Sequence, residues 1–276
     1  MSPTWTSQTP PDPWKLTFLG GLLVALRGLV LLVVVFGGLV ILLLLRLIER
    51  PLFGASRPWT PHITVAVCRL ALRILGLALK VEGAPMDHPG AIVANHSSWL
   101  DIFVLNAARP LYFVAKSEVA GWAGIGWLAR ATGTVFVRRE RREARAQKSE
   151  FEARLLAGHK LLFFPEGTST DGQLVLPFKT TLFAAFFAEA LRDVLWVQPV
   201  SLRYVAGADS LPRHYAWWGE MEFAGHLLKI LATSRQGAVH LSWHAPLRVA
   251  DFNDRKALAQ RAEAAVQDGH KALAAH

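Results

Sequence analysis

Between Leu16 and Leu45 the only charged residue is Arg27, and Gly28 to Leu45 is an unbroken 18-residue run of Leu, Val, Ile, Phe and Gly. As a helix such a run is about 27 Å long, close to the ~30 Å hydrocarbon core of a bilayer. It therefore reads as a retained membrane segment. A cleaved signal peptide is the main competitor, but the leader carries Pro10, Pro11 and Pro13 instead of a basic cluster, and no small-residue cleavage site follows. Arg46, Arg50 and Arg57 flank the far end against Lys15 on the near side, so the basic-side bias places the bulk of the chain in the cytoplasm.

A second apolar segment, Ile63 to Leu79, is interrupted by Arg69, Arg73 and Lys80 at helical spacing. It fits an amphipathic helix at headgroup level, or equally a helix packed on the following domain with its basic edge in water. Pro51, Pro58 and Pro61 separate the two segments as the turn of a membrane helical hairpin would. Residues 1–80 thus read as membrane-anchoring helices and 81–276 as one further domain.

That domain alternates short β-rich runs with helical ones. Strands are expected at Ala91 to Ala94, Tyr112 to Ala115, Thr134 to Val137, Lys160 to Phe164, Leu195 to Leu202 and Val239 to His244, and helices starting near Ser98, Arg141, Phe178 and Asp254. The fold class is α/β, a mostly parallel sheet flanked by helices. Hydrophobic residues make up 52% of the 276, which excludes disorder as the main state. The formal charge of +9 calls for an anionic surface or substrate, and no nucleic-acid motif is present. Cys68 is the single cysteine, so disulfides, thiolate zinc sites and paired-cysteine redox chemistry are excluded.

Two polar elements stand at strand ends. His96 and Asp101 are separated by four residues after the first expected strand. With Ser98 as helix N-cap, Asp101 falls in the first turn and can meet His96, fixing its tautomer as a general base requires. Ser98 and Asp101 also form a capping box, which alone would explain the aspartate. The second element runs from Phe163 to Gly172 through Phe164, Pro165, Glu166, Gly167, Thr168, Ser169, Thr170 and Asp171, a buried strand running into a polar turn that offers backbone donors, hydroxyls and a carboxylate.

The order of these segments resembles the glycerolipid acyltransferase family over roughly Ala91 to Val200. His96 and Asp101 match its first block. Gly133, Phe136, Val137 and Arg139 match the second, Phe164 to Thr168 the third, and Val197, Pro199 and Val200 the fourth. The resemblance implies that His96 deprotonates a lysolipid hydroxyl with Asp101 as its orienting partner, and that the oxygen attacks the thioester of acyl carrier protein or coenzyme A directly. It further implies oxyanion donors among the backbone N–H groups after His96, an acceptor site shaped by Glu166, Gly167, Thr168 and Ser169, and positive charge from Lys116 and Arg139. Neither a metal nor a resident cofactor is expected; the acyl thioester is a cosubstrate. Membrane lipids, the acyl donor and a lysolipid acceptor are the partners, at a bacterial inner membrane.

Two positions depart from the family pattern. Ser169 stands where an arginine is usual, which removes a phosphate ligand, and relatives that acylate lyso-ornithine lipid carry a small hydroxyl residue there. Arg138 precedes Arg139 where an acidic residue is common. Lyso-ornithine lipid and lysophosphatidate both remain candidate acceptors. A non-catalytic lipid-binding protein and a lipid hydrolase using the same base are the rival readings. His240 and His244 have the spacing of a helical metal pair but lie with Ser242 on one face of an alternating strand, where a solvated face is expected. Arg138, Arg139, Arg141, Arg142 and Arg145 form a solvated helix start or a dock for anionic lipid or an acidic carrier.

Overall fold

The computed structural model describes residues 5–137 and 144–275. Helix α1 (Phe18–Phe53) holds the apolar run; the Thr17 hydroxyl caps it by accepting from Gly20 N at 3.0 Å, and it stops at Gly54. Helix α2 (Thr60–Leu75) begins with Pro61 in its first turn and ends on a left-handed Gly76, whose N–H returns to the Leu72 carbonyl. The expected membrane hairpin is corrected at this point: among the described residues only α1 is long and apolar enough to cross a membrane. In α2 the apolar stripe of Val65, Cys68, Leu72 and Leu75 is buried in the domain core, and Arg69 and Arg73 face outward. An apolar stripe already covered by protein has nothing left to give to lipid.

Next come β1 (Ala78–Glu82), β2 (Gly90–Ala94), α3 (Asp101–Ala108), β3 (Tyr112–Lys116), α4 (Ile125–Thr132), β4 (Val135–Val137), α5 (Ala144–Leu156) and β5 (Leu161–Phe163). The chain closes with α6 (Glu189–Arg192), β6 (Trp196–Val205), α7 (Phe223–Ala232), β7 (Ala238–Trp243), β8 (Leu247–Arg248) and α8 (Arg255–Ala272). The sheet order is β1-β7-β6-β2-β5-β3-β4, with β8 also paired to β6. Pairing is parallel except for β6 with β7 and β6 with β8, so the sheet is mostly parallel as expected.

β2 is central, and all five of its residues are buried. Its Gly90, at φ +151°, lies so close to the Trp196 carbonyl that a Cβ there would collide with it. One apolar cluster lies between the sheet and α2, α3 and α7; a second, with Phe163, Phe183, Phe186 and Val266, lies under α5 and α8.

The helix expected from Phe178 is instead a run of 3₁₀ turns over Thr180–Phe187. A repeat of three residues puts Phe183 and Phe186 on one side, both fully buried with ring centroids 6.0 Å apart. The solvated face expected around His240 and His244 is also corrected. Helix α8 covers it: Ser201 Oγ bonds the Val266 carbonyl at 2.8 Å and His244 Nε2 at 2.7 Å, and His240 is 5% exposed.

Candidate active site

The site sits where β2 and β5 end, at the carboxyl edge of the parallel strands, where open α/β sheets present their ligands. Beyond Ala94 the Asn95 side chain continues the sheet, its Nδ2 donating to Leu202 O and its Oδ1 accepting from Leu202 N, both at 2.9 Å. This fixes the direction of the turn that follows. His96 Nδ1 lies 2.7 Å from Asp101 Oδ2, and the same oxygen accepts from Ser97 N at 2.8 Å and Ser98 N at 3.1 Å. Asp101 is fully buried, while the His96 side chain stays 19% exposed and its ring stacks on Phe164 at 4.0 Å.

The capping reading and the catalytic reading of Asp101 therefore hold together, because one carboxylate both closes the first turn and orients the imidazole. Ser98 is not the N-cap; α3 starts after Leu100 with no side-chain cap. Two of the expected oxyanion donors are already engaged. Ser97 N and Ser98 N are spent on Asp101, and His96 N on Glu166.

With Nδ1–H donated to the carboxylate, Nε2 carries the lone pair and has no hydrogen-bond partner among the described residues. An imidazole so held can take a proton from a hydroxyl that approaches Nε2.

Glu166 is 2% exposed, and its two oxygens accept from His96 N and Leu176 N, each at 2.7 Å. It ties the histidine turn to the loop after β5. Burial pushes its carboxyl up to about 8, against the opposing effect of the two N–H donors. Gly167, at φ +73°, leaves the space that the Lys179 side chain occupies. Thr168 is half-buried and Ser169 buried, and the next residue, Thr170, donates its N–H to the His96 carbonyl at 3.0 Å. Lys116 is exposed at the end of β3, two strands from β2. Arg139 lies outside the described residues, as do Arg138, Glu140, Arg141, Arg142 and Glu143.

Three contributors carry no local signal in the sequence. Tyr204 donates its hydroxyl to Asp101 Oδ1 at 2.7 Å. Trp217 N donates to Ser97 O at 2.8 Å. Ser7 bonds Asp171 at 3.2 Å, bringing the amino-terminal segment to the same loop.

A histidine held by a buried aspartate at the carboxyl edge of an open sheet is an arrangement able to serve proton transfer in an α/β enzyme. Comparison with known proteins then gives the family: a sequence model of the family described as Acyltransferase matches residues 78–203, from β1 to near the end of β6. The chain is 56% identical to the lyso-ornithine lipid O-acyltransferase of Rhodobacter capsulatus over 97% of each chain, and 38% identical to that of Brucella abortus over 74% of this chain and 80% of the relative. It is 36% identical to the 1-acyl-sn-glycerol-3-phosphate acyltransferase of Neisseria gonorrhoeae over 51% of this chain and 54% of that one. The crystal structure of the 1-acyl-sn-glycerophosphate acyltransferase of Thermotoga maritima has the same fold, with a TM-score of 0.67 at 24% identity over 93% of this chain and 97% of that one. The chain belongs to the acyltransferase family and is an acyltransferase.

Proposed function

We propose that this enzyme transfers a fatty acyl chain from the thioester of acyl carrier protein or coenzyme A to the free hydroxyl of lyso-ornithine lipid. One observation carries the choice of acceptor: the end-to-end similarity, at 56% identity, to a relative named for that reaction. In the chemical step the acceptor hydroxyl gives its proton to His96 Nε2 while its oxygen attacks the thioester carbonyl carbon. The tetrahedral intermediate collapses, the C–S bond breaks, and the departing thiolate takes the proton back from the imidazolium that Asp101 stabilises. Glu166 keeps the turn in place from beneath and touches no substrate in this scheme.

Both substrates carry acyl chains, so a surface-bound enzyme meets them at their interface. Phe18, Leu22, Leu29, Val33, Leu44 and Leu47 are among the exposed side chains of α1, which suits it to membrane association. The same helix is held to the domain along its length. Near its start Arg27 donates to the Leu231 and Thr233 carbonyls at the end of α7, at 3.0 and 2.6 Å. Near its end Glu49 accepts from Trp59 N, Thr60 N and the Thr60 hydroxyl at 2.7, 3.0 and 2.6 Å. A helix with both ends on one folded domain is suited to lie along the membrane in a single leaflet, while its length also suffices for a crossing.

Lipid mass spectrometry tests the acceptor. Expression in cells that accumulate lyso-ornithine lipid should convert it to ornithine lipid. A lyso-ornithine pool left unchanged by the active protein would refute the assignment.

A further inference from the structure

Strand β6 outruns its neighbour. Gly90–Ala94 of β2 pair with Trp196–Val200, and the remaining five residues of β6, up to Val205, extend past the end of β2 behind the histidine turn. From the last paired residue, Val200, into this overhang, Leu202 and Tyr204 continue one face at the two-residue period of a strand. The backbone of Leu202 is locked to the Asn95 side-chain amide by two hydrogen bonds. Tyr204, two residues on, reaches Asp101 Oδ1 at 2.7 Å. The carboxylate is thereby saturated, with His96, Ser97 and Ser98 on Oδ2 and Tyr204 on Oδ1.

We propose that Tyr204 is a positioning residue that sets the proton affinity of His96 by sharing the charge of Asp101. A donor on the outer oxygen draws charge away from the oxygen that faces the imidazole. Remove it, and a fully buried carboxylate with one oxygen unsatisfied holds the imidazolium more tightly. The base would then be protonated, and idle, over a wider range of pH.

Other ionisable groups face this assembly. Glu166 lies beneath His96 N, and His226 accepts from Trp99 Nε1 at 2.9 Å on the α7 side. Tyr215 packs on Tyr204 with ring centroids 5.4 Å apart, and Arg27 lies near Tyr215. Among the described residues only Tyr204 donates to Asp101 Oδ1. Burial and the Asp101 charge hold its phenol well above its ordinary pKa, so it stays a donor throughout the working range.

This inference rests on His96 being the base of the proposed transfer, and the experiment separates the two. In Tyr204→Phe the acid limb of the pH profile of kcat/KM should move up by roughly 0.5 to 1 pH unit, a shift of the size expected from a hydrogen bond to a carboxylate. The His96 ring titration, followed by nitrogen-15 NMR of the full chain in micelles, should move by the same amount and needs no turnover. If Tyr204→Phe does not fold, 3-fluorotyrosine at position 204 keeps the shape and offers a stronger donor, and the titration should then move down. A lowered rate with both titrations unmoved, or shifts of opposite sign, would reduce Tyr204 to a packing role and overturn the proposal. No transfer to any acceptor, with the ring titration moved as expected, would overturn the reaction and leave the role of Tyr204 standing.

Discussion

Removing the His96 imidazole should cost the enzyme its turnover and little else, because the side chain lies on a partly exposed turn and not in the core. His96→Ala is expected to lower kcat/KM by about 10² to 10⁴ with a normal melting temperature, measured on the same preparation. Glu166→Gln should behave differently. A glutamine can accept at only one of the two positions now facing His96 N and Leu176 N, so the variant should lose about 1–3 kcal/mol of stability along with activity. The His96–Asp101 pair was legible in the sequence because both partners lie within one turn of chain. Tyr204 was not, since a lone tyrosine 103 positions away carries no signal until β6 and β2 are paired in register. Glu166 was legible as a motif residue, yet the motif does not reveal that its oxygens face backbone instead of an open site. Ser169 marked a departure from the family pattern, and it is buried, at 8% exposure. Acceptor choice is better tested on the unaltered enzyme.

Helix α1 sets the behaviour of the chain at the scale of its elements. A chain starting at Ala55 keeps α2 and β1, loses the Glu49 cap on α2, and should remain folded by circular dichroism while moving from the membrane pellet to the soluble fraction. The full chain should stay in the pellet through an alkaline carbonate wash. If α1 lies in one leaflet, single cysteines at positions 14 and 56, placed in Cys68→Ala, should both react with an impermeant thiol reagent from the same side of sealed vesicles. Reaction from opposite sides would establish a crossing helix. The apolar run and the buried strands were legible because a long hydrophobic segment and short apolar runs are distinctive patterns. The edge strand β1 was not: its first two residues continue the apolar segment read as helical up to Leu79, and four of its five residues are exposed. Helix α7 and the burial of α2 became visible only through packing, since nothing local tells α2 whether protein or lipid will cover its apolar stripe.

At the scale of the whole molecule, pH should bound stability on both sides. His159, His214 and His270 are buried with their pKa values pushed down to about 4, and His226 to about 3, by burial above all. Below about pH 6.5 the unfolded chain gains protons that the folded chain refuses, so stability is lost as pH falls from about 6.5 towards 4. Glu166 acts in the opposite sense. Its folded value of about 8 lies above the unfolded one, so the folded chain holds an extra proton and stability declines as pH rises towards 8. Melting curves followed by tryptophan fluorescence should peak near pH 6.5, and Glu166→Gln should flatten the decline above it and steepen the rise below it. Acceptor preference also belongs to this scale. With lyso-ornithine lipid and lysophosphatidate in competition for one donor, the first should be acylated at least as fast; a preference above about tenfold for lysophosphatidate would show that phosphate recognition persists without an arginine at position 169.

The most direct test of the account is reconstitution of the transfer itself. Purified full-length protein, supplied with lyso-ornithine lipid in mixed micelles and with radiolabelled acyl thioesters of both carriers in parallel, should form labelled ornithine lipid from at least one donor. His96→Ala should form at least about 10²-fold less. Absence of product with either donor, or more than about a tenth of the activity surviving in His96→Ala, would contradict it.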